Sequence, residues 1–237
     1  MVLTDFDGTL SPIVTDADRA VPLPEAPAVL RLLAARYAVV GVVSGRPVSY
    51  LQSRLGEVPG LLLAGLYGME RARDGRISVL DEAVPWRQPV ERVAAAAEGA
   101  APPGVVVERK GLSVSLHYRR HPAHQSWVER FARDQAADTG LVAHPGRQLM
   151  ELLPPVAADK GTVVSDLAAG AGAACYLGDD SGDLPAFAAL ADLRRAGAHT
   201  VAVAVASDEA PEALLEAADT VVDGPAGAVG FLSALAQ

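Results

Sequence analysis

The chain reads as an α/β protein, a parallel sheet with helices on both faces and an inserted α+β domain, and three features of the sequence predict this. Short apolar runs alternate with helix-patterned stretches in the first third and again in the last, which is the strand, helix, strand rhythm of a parallel sheet. Between about residues 84 and 155 the rhythm breaks into paired runs joined by tight-turn signals, as antiparallel hairpins do. Several apolar runs discharge directly into glycine, serine or aspartate, and open α/β sheets bind their ligands beyond the carboxyl ends of their strands.

Taken in order, the core strands expected are Val2–Thr4, Val39–Val43, Leu61–Ala64, Ala173–Leu177, Val201–Ala204 and Thr220–Val222. Helical patterns fall between them at Ala26–Arg36, Val48–Gly56, Gly161–Ala169, Leu184–Ala196 and Pro211–Ala218. The insert is expected to run helix Trp86–Glu98, strands Val105–Glu108 and Ser113–Tyr118, helix Ala123–Asp138, then strands Leu141–His144 and Gln148–Leu152. Gly111 and Pro145-Gly146 supply its turns, and the alanines from Ala94 to Ala97 favour helix and packing. Proline favours extended linkers at Val84-Pro85 and at Leu153-Pro154-Pro155. The expected division is therefore a core of residues 1–83 and 156–237 and an insert of residues 84–155.

The first strand carries the most informative segment, Thr4-Asp5-Phe6-Asp7-Gly8-Thr9-Leu10-Ser11-Pro12. Asp5 and Asp7 leave one face of the sheet if the strand runs on. Gly8 lets the backbone turn and offer amides to an anion. One carboxylate can then attack phosphorus while the other moves a proton. Asp-x-Asp-Gly also opens calcium loops, but an EF-hand needs more oxygen ligands and a glutamate at its twelfth position, and counting from Asp5 that position is Asp16. From this segment alone, phosphate chemistry and a plain Asp-Gly turn both remain open.

Three later segments bear on the choice. Val39–Val43 ends in Ser44-Gly45-Arg46, a hydroxyl, a bare backbone and a guanidinium that all suit a phosphate oxygen. Asp159-Lys160-Gly161-Thr162 opens a helix with a lysine in its first turn, where the helix dipole disfavours a cation, so a local task is implied. Ala173–Leu177 runs into Gly178-Asp179-Asp180-Ser181-Gly182-Asp183, three carboxylates whose mutual repulsion a divalent cation relieves. Oxygen-only ligands beside a phosphate favour Mg²⁺ over zinc, whereas a solvated acidic turn capping the next helix is the alternative.

In this order and spacing the four segments resemble the haloacid dehalogenase superfamily of phosphatases, and within it the trehalose-6-phosphate phosphatases, over nearly the whole chain. The resemblance implies a Rossmann-like core of haloacid dehalogenase type with the insert as a cap that selects substrate. It implies Asp5, Asp7, Ser44 and Lys160 as the catalytic set, and Mg²⁺ held among Asp5, Asp7, Asp179, Asp180 and Asp183. It further implies Gly65-Leu66-Tyr67-Gly68 as a loop near the site, with Gly45, Arg46, Tyr67 and Gly68 among the substrate contacts. Glu108-Arg109-Lys110, Ser113 through His117, and Glu151-Leu152-Leu153-Pro154 look like the family's sugar-facing segments, with Glu108, Lys110, His117 and Glu151 as contacts. Read from the residues alone, those four side chains fit the solvated face of an antiparallel sheet equally well. Two departures stand out: Gly182 precedes Asp183 and Leu184-Pro185 follow it where the family usually continues Thr-Asp-Glu, and Leu153 replaces a commonly basic residue.

Composition narrows the partners. With 237 residues, 50% of them hydrophobic and 21% charged, the chain can bury a substantial core and is not disordered as a whole. A net charge of −9 opposes nucleic acid and anionic membrane as partners. The one cysteine, Cys175, lies inside an apolar strand and has no partner for an internal disulfide. Only four residues precede Asp5 and no apolar stretch reaches the length of a membrane span, so a cytoplasmic location is expected. His121 and His124 lack a third ligand for zinc, and Trp86 and Trp127 read as packing. The function expected is a Mg²⁺-dependent hydrolysis of trehalose 6-phosphate through an aspartyl phosphate, by a monomer functionally paired with a trehalose-6-phosphate synthase. A phosphatase of another sugar phosphate or of glucosylglycerol phosphate, a sugar phosphomutase, and an inert sugar-phosphate sensor are the alternatives.

Overall fold

The structure, a computed structural model, describes residues 1–14 and 19–237; Asp16, counted above, lies outside them. In chain order the elements begin with β1 (Val2–Thr4), α1 (Ala26–Arg36), β2 (Val40–Val43), α2 (Val48–Leu55) and β3 (Leu61–Gly65). A hairpin follows, β4 (Glu70–Arg73) and β5 (Arg76–Val79). Then come α3 (Arg87–Ala100), β6 (Val106–Arg109), β7 (Val114–His117), α4 (Gln125–Thr139), β8 (Val142–Gly146) and β9 (Leu149–Leu153). The chain closes with α5 (Lys160–Leu167), β10 (Ala173–Gly178), α6 (Leu184–Arg195), β11 (His199–Ala206), α7 (Glu212–Ala217), β12 (Thr220–Asp223) and α8 (Gly224–Leu235). These elements fall into two compact units, Met1–Ser78 with Ala158–Gln237, and Val79–Ala157. The sequence division placed the edges at 84 and 155; the structure puts the short 3₁₀ helix Asp81–Trp86 and the residues up to Ala157 with the second unit.

In the first unit the sheet order is β12-β11-β10-β1-β2-β3-β4-β5, parallel from β12 to β3 and antiparallel where β4 joins. Strand order runs outward in both directions from β1, so the carboxyl ends of β1, β2 and β10 open at the place where the winding reverses, the usual ligand crevice of such sheets. Because both faces are covered, the central strands are apolar throughout rather than alternating. Leu30 and Leu33 of α1, Leu51 of α2 and Leu232 of α8 pack with one face, through Val2, Val40 and Leu63. Val163 and Val164 of α5, Phe187 and Leu190 of α6 and Leu214 of α7 pack with the other, through Leu3 and Tyr176. Among the described residues no helix is long and apolar enough to cross a membrane.

Three elements were not expected from the sequence. β4 and β5 are charged, Glu-Arg-Ala-Arg and Arg-Ile-Ser-Val, because they form the edge of the sheet. Their turn, Asp74-Gly75, has both residues at left-handed φ (50° and 75°), as a tight two-residue hairpin requires. Helix α8 contains Gly224, Gly227 and Gly230, which lower its intrinsic propensity, and it forms because Ala228, Val229 and Leu232 are buried against the sheet.

The second unit is a four-stranded antiparallel sheet, β6-β7-β9-β8, with α3 and α4 packed on one face over Val114, Leu116, Met150 and Leu152. The β6–β7 turn falls at Gly111, as expected, with φ 82°. The other turn does not fall at Pro145-Gly146: Pro145 pairs with Met150 and Gly146 with Leu149, and the chain reverses at Arg147-Gln148, where Gln148 takes φ 56°. Proline is tolerated there because β8 is an edge strand.

The packing of α1 predicts a contrast between neighbours, since Leu33 is fully buried while Leu32 is 60% exposed. Leu33→Ala is expected to lower the unfolding free energy by about 2–5 kcal/mol and Leu32→Ala to change it by about 0.5 kcal/mol or less. Urea denaturation followed by circular dichroism checks this; equal losses from the two substitutions rule the packing out.

Candidate active site

Asp5 follows β1 directly, and its N–H donates to the Leu177 carbonyl of β10 at 2.8 Å, so the sheet ladder holds its backbone. Lys160 is the first residue of α5, behind a capping box in which the Asp159 side chain accepts from the Thr162 N–H and the Thr162 hydroxyl pairs with the Asp159 backbone. That cap aims a lysine, only 4% exposed, at the strand ends. Its Nζ lies 3.0 Å from Asp5 Oδ1 and 2.7 Å from Asp183 Oδ1.

Asp183 is fully buried and its carboxylate is saturated. Oδ1 accepts from Lys160 Nζ and from the Tyr176 hydroxyl, each at 2.7 Å, and Oδ2 accepts from the backbone N–H groups of Asp179 and Asp180 at 3.0 and 3.1 Å. The loop between β10 and α6 is thereby folded around one side chain. Two glycines make room for this. A Cβ on Gly178 sits 2.2 Å from Asp183 Cγ, and one on Gly8, which takes φ 78°, sits 2.0 Å from Asp179 Oδ2. Oxygens of Asp5, Asp179 and Asp183, all three buried, come within 4.8 Å of one another.

Asp180 is placed differently from its neighbours. It is the N-cap of the short helix Ser181–Asp183, its Oδ1 accepting from the Gly182 N–H at 2.8 Å, so its carboxylate belongs to the turn and not to the cluster of three. Burial pushes the Asp5 carboxyl well above the usual carboxylate range, with the Lys160 ammonium opposing and Asp183 and Asp179 adding to the rise. Burial likewise raises Asp183 against the pull of Lys160. For Lys160, burial works against the charge, but Asp183 and Asp5 outweigh it and hold the amine well above its ordinary value. Burial and the Asp183 charge raise Tyr176, so its hydroxyl stays a proton donor to Asp183.

Strand β1 ends at Thr4, and the alternation that would align Asp5 with Asp7 stops there. The chain instead folds tightly, with the N–H groups of Leu10 and Ser11 donating to the Phe6 carbonyl and that of Gly8 to the Ser11 carbonyl. Asp7 turns toward Arg46, whose Nε and Nη2 bind its two oxygens at 2.8 and 2.9 Å. Ser44, 1% exposed at the end of β2, accepts at Oγ from the Arg46 N–H at 3.1 Å. The following loop braces it: Leu66 N–H donates to the Arg46 carbonyl and Tyr67 N–H to the Ser44 carbonyl, with Leu66 and Tyr67 both at left-handed φ (50° and 59°). The Tyr67 phenol packs over Gly45, and Gly68 packs against Val163. Glu70 Oε2 accepts from the Val48 N–H at 3.0 Å, capping α2 where its N-cap residue, Pro47, offers no side-chain acceptor.

In the second unit, Glu108, Ser115 and Glu151 lie directly across neighbouring strands and so share one sheet face. Glu151, 3% exposed, accepts at Oε1 from Lys110 Nζ at 3.0 Å and from Ser113 Oγ at 2.8 Å. His117 Nε2 pairs with Glu108 Oε2 at 2.8 Å. Lys110 Nζ also lies 3.9 Å from Glu108 Oε2, so the four polar residues singled out in the sequence form one linked network opposite the face that α3 and α4 cover. His121 and His124 begin α4 through the short helix Pro122–His124. Trp86 and Trp127 pack at the margin of the second unit's core, Trp127 stacked on Phe131. Sequence reasoning missed Tyr50, Glu70 and Tyr176, because their roles depend on partners that only the folded loops and strands bring to them.

The Trehalose-phosphatase family matches residues 3–220. The chain belongs to the trehalose-phosphatase family. A protein of Mycobacterium ulcerans (strain Agy99) named trehalose-phosphate phosphatase is 34% identical over 247 residues, covering 100% of this chain and 61% of the relative. Another of that name from Mycobacterium avium (strain 104) is 38% identical over 200 residues, covering 80% of this chain and 51% of the relative. The chain therefore spans between half and two thirds of the length of these relatives. In fold it resembles the C-terminal domain of Candida albicans trehalose-6-phosphate phosphatase, with a TM-score of 0.79 at 22% identity, covering 99% of this chain and 91% of that one.

The donor set of this trehalose-phosphatase family member suits a divalent cation. Three buried carboxylates face one ammonium, an excess of negative charge in a place where charge is costly to bury. All donors are hard oxygens, so the cluster is compatible with a divalent metal. Asp183 already accepts four hydrogen bonds, so its carboxylate is committed to holding Lys160, Tyr176 and the loop backbone.

Removing the buried cation has a predicted signature. Lys160→Met leaves Asp5 and Asp183 without their ammonium, and breaking a buried pair typically costs about 3–5 kcal/mol. A raised carboxyl makes the folded state bind more protons than the unfolded state, so its contribution falls as pH climbs above the ordinary aspartate pKa of about 4. Lys160 resists that rise in the native protein. In chelator, the stability of Lys160→Met is expected to fall more steeply with pH than that of the parent, starting near pH 4. Parallel curves of unfolding free energy against pH rule this out.

Proposed function

We propose that the chain is a Mg²⁺-dependent phosphomonoesterase that hydrolyses trehalose 6-phosphate through an aspartyl phosphate on Asp5. The observation that carries the reading is the Lys160 ammonium, buried 3.0 Å from Asp5 Oδ1 and flanked by two further carboxylates. A purely structural ion pair needs no third and fourth charge beside it, whereas a nucleophile that must approach an anionic phosphoryl group does. Relatives named trehalose-phosphate phosphatase, at 34 to 38% identity, support the choice of ester.

In this reading an Asp5 oxygen attacks phosphorus in line and the bond from phosphorus to the sugar oxygen breaks. Asp7 gives its proton to that oxygen, then takes one from the water that attacks the aspartyl phosphate, so that inorganic phosphate leaves and Asp5 is restored. Lys160 and the Ser44 hydroxyl hold phosphoryl oxygens, with Lys160 offsetting their repulsion from Asp5. Asp5, Asp179 and the Asp7 main-chain carbonyl would hold Mg²⁺, and Asp183 keeps Lys160 and the Asp179 backbone in place. When bound, the cation supplies charge neutralisation beside the phosphoryl group.

The second unit we read as the cap that selects the sugar, with Glu108, Lys110, His117 and Glu151 bonding its hydroxyls. Their linked network supports this: each side chain is oriented before a ligand arrives, so less freedom is lost on binding. Burial pushes the Cys175 thiol up to about 12, which suits an inert residue in a reducing, cytoplasmic compartment.

The deciding experiment measures inorganic phosphate release with and without Mg²⁺ from trehalose 6-phosphate, glucose 6-phosphate, mannose 6-phosphate, glucosylglycerol phosphate and sucrose 6-phosphate. Preference for the first, dependent on Mg²⁺, is the expected outcome. Release from another ester alone overturns the substrate, and no release from any overturns the reaction. Asp5→Asn is expected to cut turnover by about 10³-fold or more while the protein stays folded. Glu151→Ala should raise KM for trehalose 6-phosphate by about 10- to 100-fold, the usual worth of one charged hydrogen bond; an unchanged KM removes the sugar contact.

A further inference from the structure

Arg46 grips Asp7 with a fork. Its Nε reaches Oδ2 at 2.8 Å and its Nη2 reaches Oδ1 at 2.9 Å, so both carboxylate oxygens are engaged side by side and the plane of the group is set. The two partners are not equally anchored: the Arg46 side chain is 10% exposed and that of Asp7 37%. Beneath the guanidinium lies the ring of Tyr50, its centroid 4.6 Å from Cζ. Tyr50 is itself fixed, donating its hydroxyl to the Ala20 carbonyl at 2.9 Å and meeting Phe6 edge-on with ring centroids 6.0 Å apart. Phe6 stands between Asp5 and Asp7 in the chain and is fully buried. The contacts thus link the backbone that carries both aspartates to the cation that orients the second of them.

We infer that Arg46, seated on Tyr50, is a positioning residue that sets the carboxylate of Asp7 for proton transfer to the leaving sugar oxygen, and is not a ligand of the phosphoryl group. The inference rests on the proposed role of Asp7 as proton donor. A carboxylate oxygen has two lone pairs, and the fork uses one on each, leaving a second on either oxygen for the reacting proton. Without the fork, the half-exposed Asp7 carboxylate, which stands just before Gly8, is free to rotate, and general acid catalysis depends on its being held within hydrogen-bond reach of the departing atom.

Leaving-group dependence tests this, because a sugar oxygen departs only with a proton while p-nitrophenolate departs without one. The quantity to compare is kcat/KM for trehalose 6-phosphate and for p-nitrophenyl phosphate, which reports on steps up to departure and excludes the later attack of water. Asp7→Asn is expected to lose about 10²-fold more on the sugar ester than on the aryl ester, and Arg46→Met about 10-fold more. Tyr50→Leu should show a smaller excess of the same sign. Equal loss on both esters in Arg46→Met, with Asp7→Asn still selective, overturns the inference and returns Arg46 to the phosphoryl group, leaving the proposed function intact. Absence of selectivity in both variants overturns the Asp7 assignment and this inference with it. If Arg46→Met does not fold, Tyr50→Leu carries the same decision: a selective loss supports the inference and an equal loss overturns it.

Discussion

A single ammonium, that of Lys160, lets the carboxyl end of the sheet hold Asp5 and Asp183 out of water, and the rest of the site is arranged around that constraint. Each buried carboxylate is expensive by itself, and Lys160 bonds to both at 3.0 and 2.7 Å. Placing a cation at a helix amino end runs against the helix dipole, and the Asp159–Thr162 capping box holds the helix start in spite of it. Asp183 adds the Tyr176 hydroxyl and two backbone amides to the same network, so the loop after β10 has one way to fold. The energetic cost of gathering these charges is what makes the cluster informative about function: packing alone would favour apolar residues there.

The two units solve different problems with the same physics. In the first, strands covered on both faces are apolar, and chemistry is confined to the ends where strands stop. In the second, an antiparallel sheet packs one face on α3 and α4 and leaves the other for Glu108, Lys110, Ser113, His117 and Glu151. Those side chains satisfy each other, which is how polar groups at low exposure persist. In the function proposed above, this network meets the sugar with both donors and acceptors already in place.

Some differences between sequence and structure have plain causes. Asp5 and Asp7 are two apart, and strand alternation aligns them only while the strand lasts; β1 ends at Thr4, and Asp7 turns to Arg46. Asp180 resembles its acidic neighbours in the sequence but caps the turn that they need. The hairpin after β8 reverses at Gln148 and not at Pro145-Gly146, because an edge strand can absorb a proline that has no ladder bond to donate. Helix α8 has glycines that argue against helix, and burial of Val229 and Leu232 overrides them.

Local order alone determined a good deal: the alternation of strand and helix, the paired strands of the insert, and the residues at the ends of β1, β2, β10 and the start of α5, since hydrophobic period and turn chemistry act over a few positions. Which of those residues meet was decided by tertiary structure. Lys160 is 23 from Asp183 and Arg46 is 39 from Asp7, and these pairings exist only because the sheet brings distant segments to one edge, while Tyr176 meets Asp183, seven residues on, only because the loop after β10 folds back. Tyr50 and Glu70 carry no signal of their own for the same reason. Charge, burial and orientation at a site belong to the groups surrounding it, and those groups become neighbours only when the sheet has closed.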